Sequence, residues 1–329
     1  MWSQDRLNKV WYGGKPPGMG MRVLEPLYRG VTALHRALYR TKLLQRASLP
    51  VPVLVVGNIT TGGTGKTPLV IALVEALSAR GWTPGVVSRG YGGRQRTPVM
   101  LGEAPDPSRY GDEPSMIRQY CEHVAVGRKR AEAARLLLDA GVNLIIADDG
   151  LQHHALARDV EICVIDGQRR LGNGRLLPAG PLREAPQRLA ACDWVVVNGG
   201  AVREGEIPMR LTGRDAVSCR NGHTRALSEF ANQRVHAVAG IGNPGRFFSS
   251  LRQQGIAVTE HPFPDHHAYT CADLDFGDDA PILMPAKDAV KCTAFAPANA
   301  WYVPVRADLP AGFLDELAAR LKGTVQGIA

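Results

Sequence analysis

Apolar residues in this chain fall into short continuous runs, separated by amphipathic stretches and glycine-rich turns. Val53-Leu54-Val55-Val56, Gly85-Val86-Val87-Ser88, His123-Val124-Ala125-Val126, Leu144-Ile145-Ile146-Ala147, Glu161 to Asp166 and Trp194 to Asn198 have the length and branching of buried strands. Between them, Leu69 to Arg80 and roughly 129–140 carry apolar residues at helical spacing, and the first stretch stops at Gly81. The alternation predicts an α/β fold, a parallel sheet with helices on both faces and ligands gathered at the carboxyl ends of its strands. Past residue 199 the pattern turns polar and irregular, with Gly199-Gly200, Gly205, Pro208 and Gly213. A second α/β series follows: strand Val235 to Ala239, helix Phe247 to Gln254, strand Ile256 to Glu260, Ile282-Leu283-Met284, strand Trp301 to Val305 and a helix near 312–321. The predicted organisation is an N-terminal segment (1–50) belonging to the first domain, a core (51–205) and a smaller α/β domain (206–329) closing over its cleft.

In the N-terminal segment, Val23, Leu24, Leu27, Tyr28, Val31, Leu34, Leu38 and Leu43 recur at near-helical spacing, preceded by Trp2, Trp11 and Tyr12. Charge changes how this helix reads. The net charge is +8, and residues 1–50 hold Arg6, Lys9, Lys15, Arg22, Arg29, Arg36, Arg40, Lys42 and Arg46 against only Asp5 and Glu25. A basic amphipathic helix with aromatic neighbours fits an interfacial element drawn to an anionic membrane surface. It fits equally a helix packed on the domain with a solvated basic face. Nucleic acid is not an expected partner, because no recognition module accompanies the charge. The six cysteines are scattered with no Cys-x-x-Cys pair, so neither zinc nor disulfides are indicated and reduced cytosolic thiols are expected. No apolar run reaches the roughly 20 residues of a membrane span and no signal peptide opens the chain, so contact with a membrane is expected from the cytosolic side.

The chemistry starts at Gly57-Asn58-Ile59-Thr60-Thr61-Gly62-Gly63-Thr64-Gly65-Lys66-Thr67-Pro68, directly after the first strand. A strand, a glycine-rich loop and Gly-Lys-Thr opening a helix form a P-loop, the phosphate cradle of NTPases. Thr60, Gly62, Gly63, Thr64, Gly65, Lys66 and Thr67 are the expected ATP contacts. Lys66 reaches the β- and γ-phosphates, and the Thr67 hydroxyl can ligate Mg²⁺. Thr60 stands where the usual spacing has glycine.

A P-loop needs acidic partners on a neighbouring strand. Leu144-Ile145-Ile146-Ala147-Asp148-Asp149-Gly150-Leu151-Gln152-His153 delivers two carboxylates to a strand end, with Gln152 a further oxygen donor. Asp148 is assigned to catalysis, and Asp149 and Gln152 join Thr67 at Mg²⁺; which carboxylate touches the metal stays open. His153 and His154 read as structural. Tyr110-Gly111-Asp112-Glu113-Pro114 offers a separate acidic site, either a general base for an alcohol or a helix N-cap before Pro114. Arg89, after another strand, can meet an anionic substrate, and Glu113 is assigned beside it. His266, in Phe263-Pro264-Asp265-His266-His267, reads as a surface histidine or as a partner to Asp112 across the cleft. Gly240-Ile241-Gly242-Asn243-Pro244-Gly245 matches the dinucleotide fingerprint, but too little chain follows for such a domain, so a strand-to-helix turn is expected.

Together these residues resemble the tetraacyldisaccharide 4′-kinase family of lipid A biosynthesis over nearly the whole chain. The resemblance rests on Gly57-Asn58, Gly62 to Pro68, Arg89-Gly90-Tyr91-Gly92, Gly111 to Pro114, Asp148 to His153, Leu177-Pro178-Ala179-Gly180-Pro181-Leu182-Arg183-Glu184, Gly240 to Pro244 and Phe263 to His266. It implies transfer of the ATP γ-phosphate to the 4′-hydroxyl of an acylated glucosamine disaccharide 1-phosphate, at the cytoplasmic face of a Gram-negative inner membrane. It also implies Asp112 as base with His266 as its partner. Where the family has Thr-Glu-Lys-Asp, this chain has Pro285-Ala286-Lys287-Asp288. Two rivals are a membrane-partitioning or regulatory NTPase and a soluble small-molecule kinase. The first lacks its usual extra loop lysine and guanine-reading Asn-Lys-x-Asp; the N-terminal charge speaks against the second.

Overall fold

The computed structural model describes residues 4–326. The strand Val53–Gly57, buried at every position, lies inside a nine-stranded sheet. Across the sheet the order is Arg306–Asp308, Ile207–Thr212, Trp194–Asn198, Val160–Asp166, Val53–Gly57, Leu144–Asp148, Pro84–Ser88, His123–Val126 and Val99–Met100. All neighbours are parallel except the outer pairs at the two edges.

Continuous apolar runs are needed because both faces are covered. Leu54 and Val56 point into one cluster with Leu69, Leu73 and Leu77 of helix Lys66–Ser78. Val53 and Val55 point the other way, onto Ala133, Ala134 and Leu137 of helix Arg130–Asp139. Register places Val56 beside Asp148 and Gly57 beside Cys163, so the phosphate loop leaves the sheet next to the acidic strand end.

A six-stranded sheet stands apart, ordered Thr224–Ala226, Asp215–Ser218, Ala300–Val303, Ile282–Pro285, Arg234–Ala239 and Ala257–Pro262. Phe230, Phe248 and Leu251 fill one of its cores. The chain crosses between the sheets differently from the expected division at 205/206. Ile207–Thr212 and Arg306–Asp308 pair in the large sheet, and helix Ala311–Gln326 sends Phe313, Leu317 and Leu321 into the large-sheet core. Their four-residue spacing makes one apolar stripe that must be covered, and the Trp194 ring meets Phe313 edge-on at 5.6 Å.

At the N-terminus, helix Met19–Arg40 begins before Val23, the first of the spaced apolar positions, and ends before Leu43, the last. Only Met21 and Glu25 of it are fully buried. The Glu25 carboxylate accepts from Leu176 N (3.1 Å) and Arg175 Nη1 (2.9 Å), and the Tyr28 hydroxyl donates to Arg183 O. The remaining face is bare: Val23, Leu27, Val31 and Leu34 are each 60–64% exposed. Trp11 departs from the interfacial reading, since it is buried and donates Nε1–H to Pro178 O (3.1 Å). Tyr12 is half-buried with the Arg169 guanidinium over its ring, and Trp2 lies outside the described residues. No helix among the described residues is long and apolar enough to cross a membrane.

Candidate nucleotide and acceptor site

The phosphate loop is held open by its own glycines and by buried amides. Gly65 adopts φ +97°, and a Cβ there would fall 2.5 Å from Asn198 Nδ2, so only glycine fits. Asn198, which ends its strand, donates to Thr64 O (3.0 Å), while Asn58 Nδ2 reaches Gly62 O and Thr64 Oγ1 at 3.4 Å. Thr60 bridges to Leu182 and Thr61 N donates to Pro181 O, so the segment ending at Glu184 braces the loop. Lys66 and Thr67 open the helix, both 9% exposed. The free N–H groups of that first turn and the Lys66 ammonium make a cationic cradle.

Asp148 and Asp149 have opposite environments. Asp148 is fully buried, accepts from Ser88 Oγ (3.2 Å) through Oδ2, and leaves Oδ1 without a hydrogen-bond partner among the described residues. Burial, reinforced by the charges of Glu113 and Asp149, pushes its carboxyl up to about 7. For Asp149 burial acts upward too, but Lys66 and Arg183 overcome it and hold the group well below the usual carboxylate range. Lys66 Nζ lies 3.4 Å from Asp149 Oδ1, and Arg183 Nη1 donates to both oxygens at 3.2 and 3.0 Å. Asp149 itself sits at φ +48°, fixed there by Arg130 Nη1 donating to its carbonyl (2.9 Å). Gln152 stands behind the pair. Its amide donates to Asn58 O (3.0 Å) and Glu184 Oε1 (2.7 Å), and its Oε1 accepts from Arg183 at 3.4 Å.

Asp112 begins the short helix Asp112–Ile117, and it meets His266 from a loop of the six-stranded sheet's layer: His266 Nδ1 lies 2.9 Å from Asp112 Oδ2. The Lys287 ammonium is 3.5 Å from His266 Nε2. An ammonium only donates, so the ring accepts at Nε2 and donates Nδ1–H to Asp112. His266 is at φ +62°, with Tyr91 tilted against its ring at 5.2 Å. Burial alone would raise Asp112, but the His266 hydrogen bond and the Lys291 and Lys287 charges bring it below the ordinary aspartate value. Glu113 lies 3.7 Å from Lys287 Nζ, and Arg89 is exposed at the end of its strand. The dinucleotide-like turn links Arg234–Ala239 to helix Pro244–Gln253, and Gly242 rests on the phosphate loop: a Cβ there would be 2.9 Å from Gly63 N.

His153 and His154 are half-buried and lowered to about 4, first by burial and then by nearby arginines, which suits neutral structural rings. Sequence reasoning gave no role to Ser88, Asn198, Arg130, Arg183, Glu184 or Lys291, all of which touch the site's residues. Ser88 and Asn198 end parallel strands, and that position alone was a usable signal. Arg183 and Glu184 close the Leu177 to Glu184 motif, to which no role had been given, while Arg130 and Lys291 come from helix faces that carry no local motif.

The profile of a family described as Tetraacyldisaccharide-1-P 4′-kinase matches residues 19–322. The tetraacyldisaccharide 4′-kinase of Stenotrophomonas maltophilia is 52% identical over 324 residues, covering 94% of this chain and 95% of that protein. The protein of the same name from Xanthomonas campestris is 49% identical over 345 residues, covering 94% and 96%. The crystal structure of LpxK from Aquifex aeolicus in complex with ATP superposes with a TM-score of 0.76 at 26% identity, over 92% of this chain and 97% of that one.

Proposed function

The chain belongs to the tetraacyldisaccharide-1-P 4′-kinase family, and from that premise we propose how its residues carry out the family's reaction. The chain is an ATP-dependent kinase of lipid A biosynthesis that phosphorylates the 4′-hydroxyl of a tetraacylated glucosamine disaccharide 1-phosphate. The observation that carries this is the pairing of a P-loop with a separate carboxylate–histidine dyad: one set of groups holds the donor, the other faces an alcohol.

The phosphate-loop N–H groups, with Thr60, Gly62, Gly63, Thr64, Gly65 and Thr67 around them, bind the β- and γ-phosphates of ATP, and Lys66 swings from Asp149 onto them. The donor set suits Mg²⁺: the buried, unpartnered Asp148 Oδ1 needs a proton or a cation, and one or two carboxylates with a hydroxyl are how that ion is held beside phosphates. Asp148, Asp149 and Thr67 would hold it; Gln152, expected as a further ligand, has its amide on Asn58 O and Glu184 and its Oε1 on Arg183, so it would act by positioning the Arg183 that grips Asp149. Bound there, Mg²⁺ neutralises charge developing on the phosphates.

Asp112 takes the proton of the 4′-hydroxyl as the hydroxyl oxygen attacks the γ-phosphorus and the bond from that phosphorus to the β–γ bridging oxygen breaks, with ADP as the leaving group. His266 keeps the carboxylate oriented through Oδ2, leaving Oδ1 towards the acceptor; among the described residues no hydrogen bond takes that oxygen. Arg89 and Glu113 flank the acceptor, Arg89 towards its anionic group. Since the base Asp112 lies in the large-sheet layer and its partner His266 in the smaller one, closure of the smaller layer assembles the site and excludes water. The exposed Val23–Leu34 face, rimmed by Arg22 and Arg29, lies on the anionic cytoplasmic surface of the inner membrane, where the acyl chains of the substrate stay anchored.

The test is mass analysis of the lipid after incubation with ATP and Mg²⁺. Addition of one phosphate on the non-reducing sugar supports the reading, whereas ATP consumed over an unaltered lipid contradicts it.

A further inference from the structure

We propose that Lys291 is a positioning residue for phosphoryl transfer, tying the base Asp112 to Asp288 and, through Asp288, to the glycine turn on the phosphate loop. The inference rests on the reading of Asp112 as base. Lys291 lies on helix Ala286–Cys292 with its side chain 9% exposed. Its Nζ is 2.7 Å from Asp288 Oδ1, an ion pair, and 3.7 Å from Asp112 Oδ2. It also donates to His267 O (3.2 Å) and stands 5.0 Å over the Tyr269 ring.

Asp288 is fully buried, and its Oδ2 accepts the Gly240 N–H at 2.8 Å. Gly240 opens the turn whose Gly242 abuts Gly63. Contacts therefore run from the phosphate loop through Gly242, Gly240, Asp288 and Lys291 to Asp112, and so back to the large-sheet layer. A lysine needed only to neutralise Asp288 would have no reason to face a carboxylate of the other layer. This one approaches the same Asp112 oxygen that His266 binds. One hydrogen bond from His266 and the Lys291 charge beside the same oxygen hold Oδ2 on this side and turn Oδ1 to the acceptor.

The charged and titratable groups around Asp112 are His266, Lys291 and Lys287, with Glu113 beside it, Asp265 paired to Lys287 and Tyr91 against His266. Lys291 differs from Lys287 in spanning two buried carboxylates. Removing it takes away a cation that favours ionised Asp112 and loosens the hold on Oδ2, and misplacement of a reacting group on this scale lowers turnover by up to about a hundredfold.

The experiment measures kcat and KM against pH for the full chain with lipid acceptor and Mg²⁺·ATP. It compares wild type, Lys291→Met, Lys291→Gln and Lys291→Arg, each also combined with Asp112→Asn. Expected are a fall in kcat for Met and Gln with KM for ATP little changed, an acid limb moved to higher pH, and recovery of most of the rate with Arg. On the Asp112→Asn background the Gln change should cost little more, because the two residues act as a unit. Unchanged kcat, a loss confined to KM, or a full multiplicative loss on that background overturns the proposal. If Met does not fold, Gln decides, since it can still donate to Asp288 and His267 O. A Gln variant that also fails to fold makes Lys291 a structural counterion and overturns it equally. Full turnover by Asp112→Asn alone contradicts the base reading itself, a result separable from failure of the clamp.

Discussion

Asp112 and His266, 154 positions apart in the chain, one opening a helix of the large-sheet layer and the other in a loop of the smaller one, share a hydrogen bond of 2.9 Å between Oδ2 and Nδ1. A pairing across that distance exists only when the two layers are docked, so it links closure to the chemistry. Asp112→Asn keeps the size and one acceptor oxygen but removes the basic site. It should lower lipid phosphorylation by about 10²–10⁴-fold while ATP still binds. Calorimetry for the nucleotide and product assay for turnover check both halves; a variant with wild-type turnover removes Asp112 from the mechanism.

Asp148 carries a pH signature of the metal-free fold. Burial raises its carboxyl to about 7 from 3.8, so the folded state holds the proton more tightly than the unfolded chain. That stabilising contribution is complete below the unfolded value and is lost as the pH rises through about 7. Without nucleotide or metal, Asp148→Asn should therefore melt above wild type at about pH 8, with the two converging below about pH 4. Thermal unfolding across that range measures it. Equal melting temperatures at the alkaline end would show that the buried charge is already neutralised within the protein.

Gly242 sets how closely the smaller layer approaches the phosphate loop, because a Cβ there would lie 2.9 Å from Gly63 N. Backbone cannot yield as a side-chain tip does, and overpacking of this kind costs about 1–3 kcal/mol. Gly242→Val should raise KM for ATP by about five- to a hundredfold while the variant stays folded. An unaltered KM would mean that the turn moves away from the loop when ATP binds.

The exposed face of helix Met19–Arg40 should matter for lipid and not for folding. Val23, Leu27, Val31 and Leu34 are each 60–64% exposed, so replacing all four by serine should change stability by less than about 0.5 kcal/mol per site. The same variant should lose most of its binding to anionic vesicles in flotation assays, and what remains should weaken further with salt. Unimpaired flotation would move the membrane contact elsewhere.

The large sheet was legible because strands buried on both faces leave unbroken apolar runs, as Leu54 and Val56 against Val53 and Val55 illustrate. The phosphate loop and the Asp148-Asp149 pair were legible because each is a local motif at a strand end. The return of Arg306–Asp308 and the last helix to the large sheet was not, since an edge strand of three residues leaves no periodic trace. Arg183, Arg130 and Lys291 were hidden for a related reason. A cation's role depends on which carboxylate tertiary packing brings to it, and neither spacing nor composition records that. Trp11 shows the opposite error: an aromatic beside a basic helix looked interfacial, yet its indole N–H is satisfied inside the protein by Pro178 O.

The most direct test of the account is transfer of labelled γ-phosphate from ATP to a detergent-dispersed acylated disaccharide 1-phosphate, with and without Mg²⁺, for wild type and Asp112→Asn side by side. The account predicts labelled lipid from the wild type only when Mg²⁺ is present, and a loss of about 10²-fold or more in the variant at unchanged nucleotide binding. Label released as inorganic phosphate with none in the lipid, equally in both proteins, would contradict it.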